Sequence, residues 1–203
     1  MDGDPEGHVR YDTAPRASAS ANPNVRPDPQ MSETHDSAED LPEILSLAQI
    51  QHLMRVEFSR AQRYAYPIVC LVVAVDQLGQ LRDRFGYDVK ETVVDAVIQL
   101  LHRQTRGSDF LGRLPDDRFM VVVPHSPPDK IEVMAQRLVE GARGLHLPDI
   151  QDEGLTLSIG GSWMVLGETL FFDDLVQTAQ RCLEGAISAG GNRHLARAPE
   201  GLG

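Results

Sequence analysis

"SDFLGRLPDDRFMVVVP", residues 108–124, sets a charged tip between two apolar flanks. Phe110-Leu111 and Phe119 to Val123 have the composition of strands. Pro115-Asp116-Asp117 between them is turn chemistry, because proline fixes φ and aspartate bonds to nearby backbone. The stretch therefore reads as a β-hairpin, with strands at 108–114 and 118–124 and a tight turn at 115–117.

Upstream, "IVCLVVAV" at 68–75 is a continuous apolar run of strand length. It is far short of the ~20 residues that span a bilayer, so it reads as a strand buried on both faces. Ile44, Leu47, Ala48, Leu53 and Met54 recur at helical spacing up to Tyr64. A short helix is expected at 77–85, ending near Gly86. Val89, Val93, Val97, Leu100 and Leu101 mark a longer one at 88–104. Downstream, Pro127-Pro128 opens a helix whose apolar face is Ile131, Met134, Ala135 and Leu138. "LTLSIGGSWMV" at 155–165 alternates as a strand does. Asp173 or Asp174 is expected to cap a last helix through Leu175, Ala179, Cys182 and Ala186, and Gly190-Gly191 to end it. A short strand near 193–197 closes the pattern. The order α-β-α-α-β-β-α-β-α-β places a hairpin inside a β/α series, which predicts an α+β fold with a central mixed sheet flanked by helices.

The net charge of -11 over 203 residues excludes a general binder of phosphate backbones, so no nucleic-acid partner is expected. It leaves room for a small anionic ligand in a local basic pocket. Cys70 and Cys182 lie in apolar patterns and read as buried thiols. They show neither metal-ligand spacing nor a disulfide framework, which fits a cytoplasmic location. No apolar run is long enough for a membrane anchor. Residues 1–42, rich in Asp, Glu, Pro, Ser and Asn, are expected to form a disordered acidic tail, with Met31 a second candidate start. One domain over 43–198 and a flexible C-terminus at 199–203 complete the expectation.

Four segments in order, "SRAQRYAYPIVCLVVAVDQLGQLRDRFGYDV", "SDFLGRLPDDRFMVVVP", "LTLSIGGS" and "AISAGGNR", resemble the GGDEF domain of diguanylate cyclases, over roughly 45–197. In that family two GTP-loaded domains face each other and make cyclic di-GMP. The signature hairpin Gly-Gly-(Asp/Glu)-Glu-Phe wraps the phosphates. Glycines permit close backbone approach, and carboxylates hold Mg²⁺ against phosphate oxygens. The resemblance implies that Pro115 and Asp116 stand where the two glycines should be, and Arg118 where an acid should be. Asp117 keeps its acidic place. At the end of the first strand the family has Asp-x-Asp, but here Ala74 replaces the first acid and only Asp76 remains. The guanine-reading asparagine corresponds to Arg82 and its acidic partner to Glu91. The phosphate-reaching lysine of the last helix corresponds to Ile187, and a basic residue near the closing Asn-Arg to Gly191. A degenerate active site is therefore expected, with no catalytic residue, no bound metal and poor Mg²⁺ affinity.

Many members also carry an inhibitory product site, an Arg-x-x-Asp placed five residues before the signature. Arg106-Gly-Ser-Asp109 followed by five residues and Pro115 keeps that register. Arg137 falls where a further arginine comes from the next helix, and Arg60 where one comes from before the first strand. Arginine's fork can reach guanine O6 and N7, and an aspartate can accept guanine N1 and N2 protons. Taken alone, Arg-x-x-Asp is common and is usually a surface pair at a helix end.

The expected function is a catalytically inactive domain that binds cyclic di-GMP through Arg106, Asp109, Arg137 and Arg60 and signals through a protein partner. The alternatives are a nucleotide-independent scaffold or dimerisation module, and a residual cyclase. The helix at 44–64 carries apolar residues on more than one side, which suits either a homodimer contact or a cover for the sheet. His125 reads as loop polarity and Trp163 as strand packing.

Overall fold

The computed structural model describes residues 44–150 and 154–200. The tail expected at 1–42 and residues 201–203 of the expected C-terminal segment lie outside the described residues. Five helices and five strands follow in chain order: α1 Leu47–Tyr64, β1 Ile68–Val75, α2 Leu78–Phe85, α3 Tyr87–Gln104, β2 Phe110–Arg113, β3 Phe119–Pro124, α4 Asp129–Arg143, β4 Leu157–Trp163, α5 Phe172–Ser188 and β5 His194–Ala196. This is the order predicted from sequence. A short 3-10 turn at Pro148–Ile150 had no signal in the pattern.

The strands form one sheet in the order β2-β3-β1-β4-β5. β1 runs antiparallel to both neighbours, while β4 and β5 are parallel, so the sheet is mixed. Every residue of β1 is buried, because side chains on both faces are covered. Val69, Leu71, Val73 and Val75 pack with α3 and α4. Cys70, Val72 and Ala74 pack with α1 and α5. The result is an α+β sandwich of three layers.

Local chemistry fixes the boundaries. Ser46 and Gln49 form a reciprocal cap at the start of α1: the Ser46 backbone N–H donates to Gln49 Oε1 at 2.8 Å, and Gln49 N–H to Ser46 Oγ at 3.4 Å. Its buried stripe is Ile50, Met54, Phe58 and Ala61, so α1 covers the sheet. Leu45 adds a single parallel bridge to Gly112 at the β2 edge. α5 begins one residue before Asp173. Asp174 stands at its third position and accepts the Phe171 N–H at 3.3 Å, so the acid closes the cap from inside the helix. β4 carries Gly160 and Gly161 on opposite faces. A side chain at Gly160 would run into the α5 backbone, and one at Gly161 into Ile131 and Leu71.

Candidate functional site

The positions that the resemblance sets against the signature gather at one end of the sheet. The β2–β3 tip lies there because Val73 of β1 pairs with Phe119. The C-terminus of β1 and the start of β4 lie there too, through the Val75–Leu157 pair. The turn after α5 joins them through Asn192, whose backbone N–H bonds to Asp76.

Asp117 occupies the left-handed region, φ +58°, at the tip of the hairpin. Its carboxylate turns onto α3 and β2. Oδ2 lies 2.6 Å from Lys90 Nζ, and Oδ1 lies 2.5 Å from Arg113 Nη2. Glu91 completes the group, 3.4 Å from Lys90 and 3.8 Å from Arg113. Lys90 is only 8 % exposed, and its ammonium also sits 4.9 Å above the Tyr87 ring. Burial alone would raise the Asp117 carboxyl. The hydrogen bonds from Lys90 and Arg113 outweigh it and hold the group below its usual range. The same bond to Asp117 raises Lys90 and Arg113. Arg118 leaves the group and pairs with Asp116 at 2.9 Å.

The depressed Asp117 contributes stability that is present above its ordinary value of 3.8 and is lost as pH falls through the lowered value. The raised Lys90 contributes stability present below its ordinary 10.5 and lost only at higher pH. Asp117→Asn is expected to cost about 2 kcal/mol near pH 7, the scale of hydrogen bonds to a charged group in a mostly buried site. Denaturant unfolding at several pH values checks this. The gap to the parent should close as both samples are acidified, and a gap constant with pH would contradict the pairing.

Asp76 is committed differently. Its Oδ1 accepts Ser158 Oγ–H at 2.6 Å, and its Oδ2 accepts Thr156 Oγ–H at 2.8 Å and the Asn192 N–H at 2.8 Å. The carboxylate thus ties the end of β1 to β4 and to the turn after α5. Gly191, at φ +72°, passes so close that a Cβ there would be 3.0 Å from the Asp76 carboxyl atoms. A side chain at Gly191 would crowd this clamp and strain the left-handed backbone. Ala74 is buried in the sheet. Arg82 forks onto its neighbour Asp83 at 2.7 Å and 2.9 Å. Ile187 is half exposed on α5.

Arg106 and Asp109 lie at the other end of the sheet, in the turn between α3 and β2. Asp109 Oδ2 accepts the Arg106 backbone N–H at 2.8 Å, and the Asp109 N–H donates back to the Arg106 carbonyl at 2.9 Å. The Arg-x-x-Asp spacing is therefore a closed turn that fixes where the arginine leaves the chain. Arg106 has no ion pair among the described residues. The turn borders a cavity of about 300 Å³ shared with Leu53, His102, Thr105 and Phe110. His102 Nε2 is buried without a hydrogen-bond partner, and desolvation lowers the ring's pKa. Arg137 stands exposed on α4, which packs beside α3. Arg60 stands on α1, in the opposite layer, 3.6 Å from Glu57. The structure joins Arg106 to Asp109 directly and shows no bond from either to Arg137 or Arg60 among the described residues.

Sequence reasoning missed Lys90, Arg113 and His102. Lys90 had a signal, since it follows the apolar Val89 into the buried side of α3. His102 stands in the last turn of α3 and lines the same cavity as Arg106. His125, read as loop polarity, stacks on Tyr66 with ring centroids 3.8 Å apart. Glu57 accepts from the Tyr66 hydroxyl at 2.6 Å. Burial and this carboxylate push the phenol up to about 12.

Residues 35–193 match the family model for the diguanylate cyclase GGDEF domain. The chain is 27 % identical over 141 residues to the probable diguanylate cyclase DgcC of Escherichia coli strain K12, covering 70 % of this chain and 38 % of that protein. It is 23 % identical over 158 residues to the diguanylate cyclase DosC of the same strain, covering 75 % of this chain and 33 % of the relative. It thus aligns with about a third of these relatives' length. Among solved structures it is similar to the active GGEEF domain of a diguanylate cyclase from Vibrio cholerae, with a TM-score of 0.71 at 20 % identity, covering 78 % of this chain and 99 % of that one. It is also similar to the GGDEF domain of DgcB from Caulobacter crescentus in complex with c-di-GMP, with a TM-score of 0.71 at 16 % identity, covering 87 % and 99 %. These likenesses establish a shared fold.

Proposed function

The chain belongs to the diguanylate cyclase GGDEF domain family, and from that membership we propose that it binds cyclic di-GMP without making it. The contrast between the two ends of the sheet carries this reading. At the signature end the remaining carboxylates already have partners, Asp76 with three donors and Asp117 with two cations. At the other end Arg106 leaves a rigid turn beside a cavity with a buried, unpartnered ring nitrogen.

Mg²⁺ needs several oxygens in near-octahedral array and sheds water reluctantly. One carboxylate clamped by hydroxyls and another neutralised by an ammonium and a guanidinium do not make that set. Phosphoryl transfer rests on positioning and charge neutralisation, and neither the glycines nor a free acid pair remains to supply them. No catalytic step is therefore assigned to any residue, and no cofactor is needed.

Arg106 supplies a planar donor fork for a guanine edge or a phosphate. Asp109 keeps one carboxylate oxygen that does not cap the turn. His102 lines the same cavity, with its Nε2 buried and unpartnered. Arg137 adds charge from α4. Because α1 and α4 lie on opposite faces of the sheet, a set holding both Arg137 and Arg60 takes Arg60 from a second copy. The output is then a change in contact with a protein partner.

Incubation with GTP and Mg²⁺ followed by chromatography tests the inactive half. GTP is expected to be recovered intact, and a cyclic di-GMP peak that grows with time and protein concentration would defeat the reading.

A further inference from the structure

The outward face of α1 is cationic and continuous. His52, Arg55, Arg60 and Arg63 recur along it with Val56 and Tyr64, at three- and four-residue steps that place all six on one stripe. It lies opposite the buried Ile50, Met54, Phe58 and Ala61. Arg60 has Glu57 as a neighbour, while Arg55 and Arg63 have no ion pair among the described residues. The stripe is thus a basic strip on a chain of net charge -11.

At its C-terminal end the stripe meets an exposed apolar surface. Tyr64 is 68 % exposed, and Leu166, Leu170 and Phe171 are 47 %, 50 % and 62 % exposed. The loop that carries them is fastened to α1, because Gln62 Nε2 donates to the Thr169 and Leu170 carbonyls at 3.3 Å and 3.2 Å. Between the last turn of α1 and this loop lies a cavity of about 440 Å³, with Ala65, Met164, Leu166 and Leu170 in its wall.

We infer that this composite surface docks an acidic amphipathic segment of another protein, its apolar anchor in the cavity and its carboxylates along the arginines. Charge complementarity selects this occupant. A second copy laid antiparallel on the stripe would oppose arginine to arginine. An anionic membrane would face the whole negative chain as well as the strip. An acidic helix meets only the strip, and its i, i+3, i+4 carboxylates match the spacing of the guanidiniums. Arg60 is shared with the proposed ligand site, whereas Arg55, Arg63 and Leu170 are not, so variants at those three positions test this surface apart from nucleotide binding.

The probe is a fluorescein-labelled helical peptide of about 16 residues with glutamates at i, i+3 and i+4 and a leucine pair near one end. It is titrated against the full chain and followed by anisotropy, so that the surface must be open in the presence of the acidic residues 1–43. Saturable binding is expected, weakened about tenfold or more by Arg55→Glu with Arg63→Glu, by Leu170→Ser, and by raising salt from about 50 to 300 mM. The same peptide with lysine for glutamate should not bind. Both variants change exposed side chains, so their melting temperatures and cyclic di-GMP titrations should match the parent. Absence of binding to the parent, or binding indifferent to both variants, overturns the inference. Pelleting with phosphatidylglycerol vesicles in preference to the peptide overturns it too, as does a dimer that the variants abolish.

Discussion

Gly160→Ala is expected to lower the melting temperature by roughly 6–12 °C, the equivalent of about 3 kcal/mol for a domain of this size. The added Cβ would lie 1.9 Å from the Ala179 carbonyl oxygen and 2.2 Å from the Leu183 nitrogen. Both are backbone atoms of α5, so no side-chain rotation relieves the clash. The helix would have to lift from the sheet, and it carries Leu175, Ala179 and Leu183, all fully buried against β1 and β4. Overpacking usually costs 1–3 kcal/mol when side chains can give way, and about 3 or more is expected when they cannot. Gly79→Ala is the matched control. A Cβ there meets nothing within 4 Å, and alanine in the first turn of α2 should be neutral or stabilise by up to about 0.5 kcal/mol. Melting followed by circular dichroism separates the two. A Gly160→Ala protein that melts with the parent would show that α5 does not sit directly on β4.

Asp76→Ala is expected to destabilise by about 3 kcal/mol, because three hydrogen bonds to a charged acceptor are lost at once. Ser158 is fully buried, and its hydroxyl would lose this acceptor. The Asn192 N–H would lose its partner as well, loosening the turn that leads into β5. Asp76→Asn should fall between, since one acceptor oxygen survives. The same melts decide what Asp76 is for. Millimolar Mg²⁺ should leave the parent's melting temperature unchanged, because a ligand that does not bind the folded state cannot stabilise it. A rise with Mg²⁺ that vanishes in Asp76→Ala would make the residue a metal ligand and contradict the clamp.

Much of the fold was legible because its signals are local. The apolar run at 68–75 could only be a strand covered on both faces, and α1, α3 and α4 show their buried stripes at helical spacing. The α5 boundary was misread because Asp173 and Asp174 look like caps, whereas the backbone turns at Phe171 and the acid acts from within the first turn. The 3-10 turn at 148–150 follows from no periodicity at all. In the candidate site, the departures of Pro115, Asp116 and Ala74 from the resembled signature were legible by position alone. What filled their place was not. Lys90 and Asp117 are 27 positions apart and meet only when the hairpin tip folds onto α3. Asp76 read as the remnant of a metal site, since nothing local in the chain links it to Thr156, Ser158 and Asn192. The Arg106–Asp109 turn was legible as a motif, and the adjoining cavity and His102 needed the packing of α1 against the β2 edge.

The central claim is receptor without catalysis, and isothermal titration of the full chain with cyclic di-GMP tests it most directly. The account predicts a saturable heat at micromolar protein, the same with or without Mg²⁺, and weakened about tenfold or more by Arg106→Ala, the worth of one bidentate contact. No heat at micromolar protein, or an isotherm unchanged by Arg106→Ala, would contradict it.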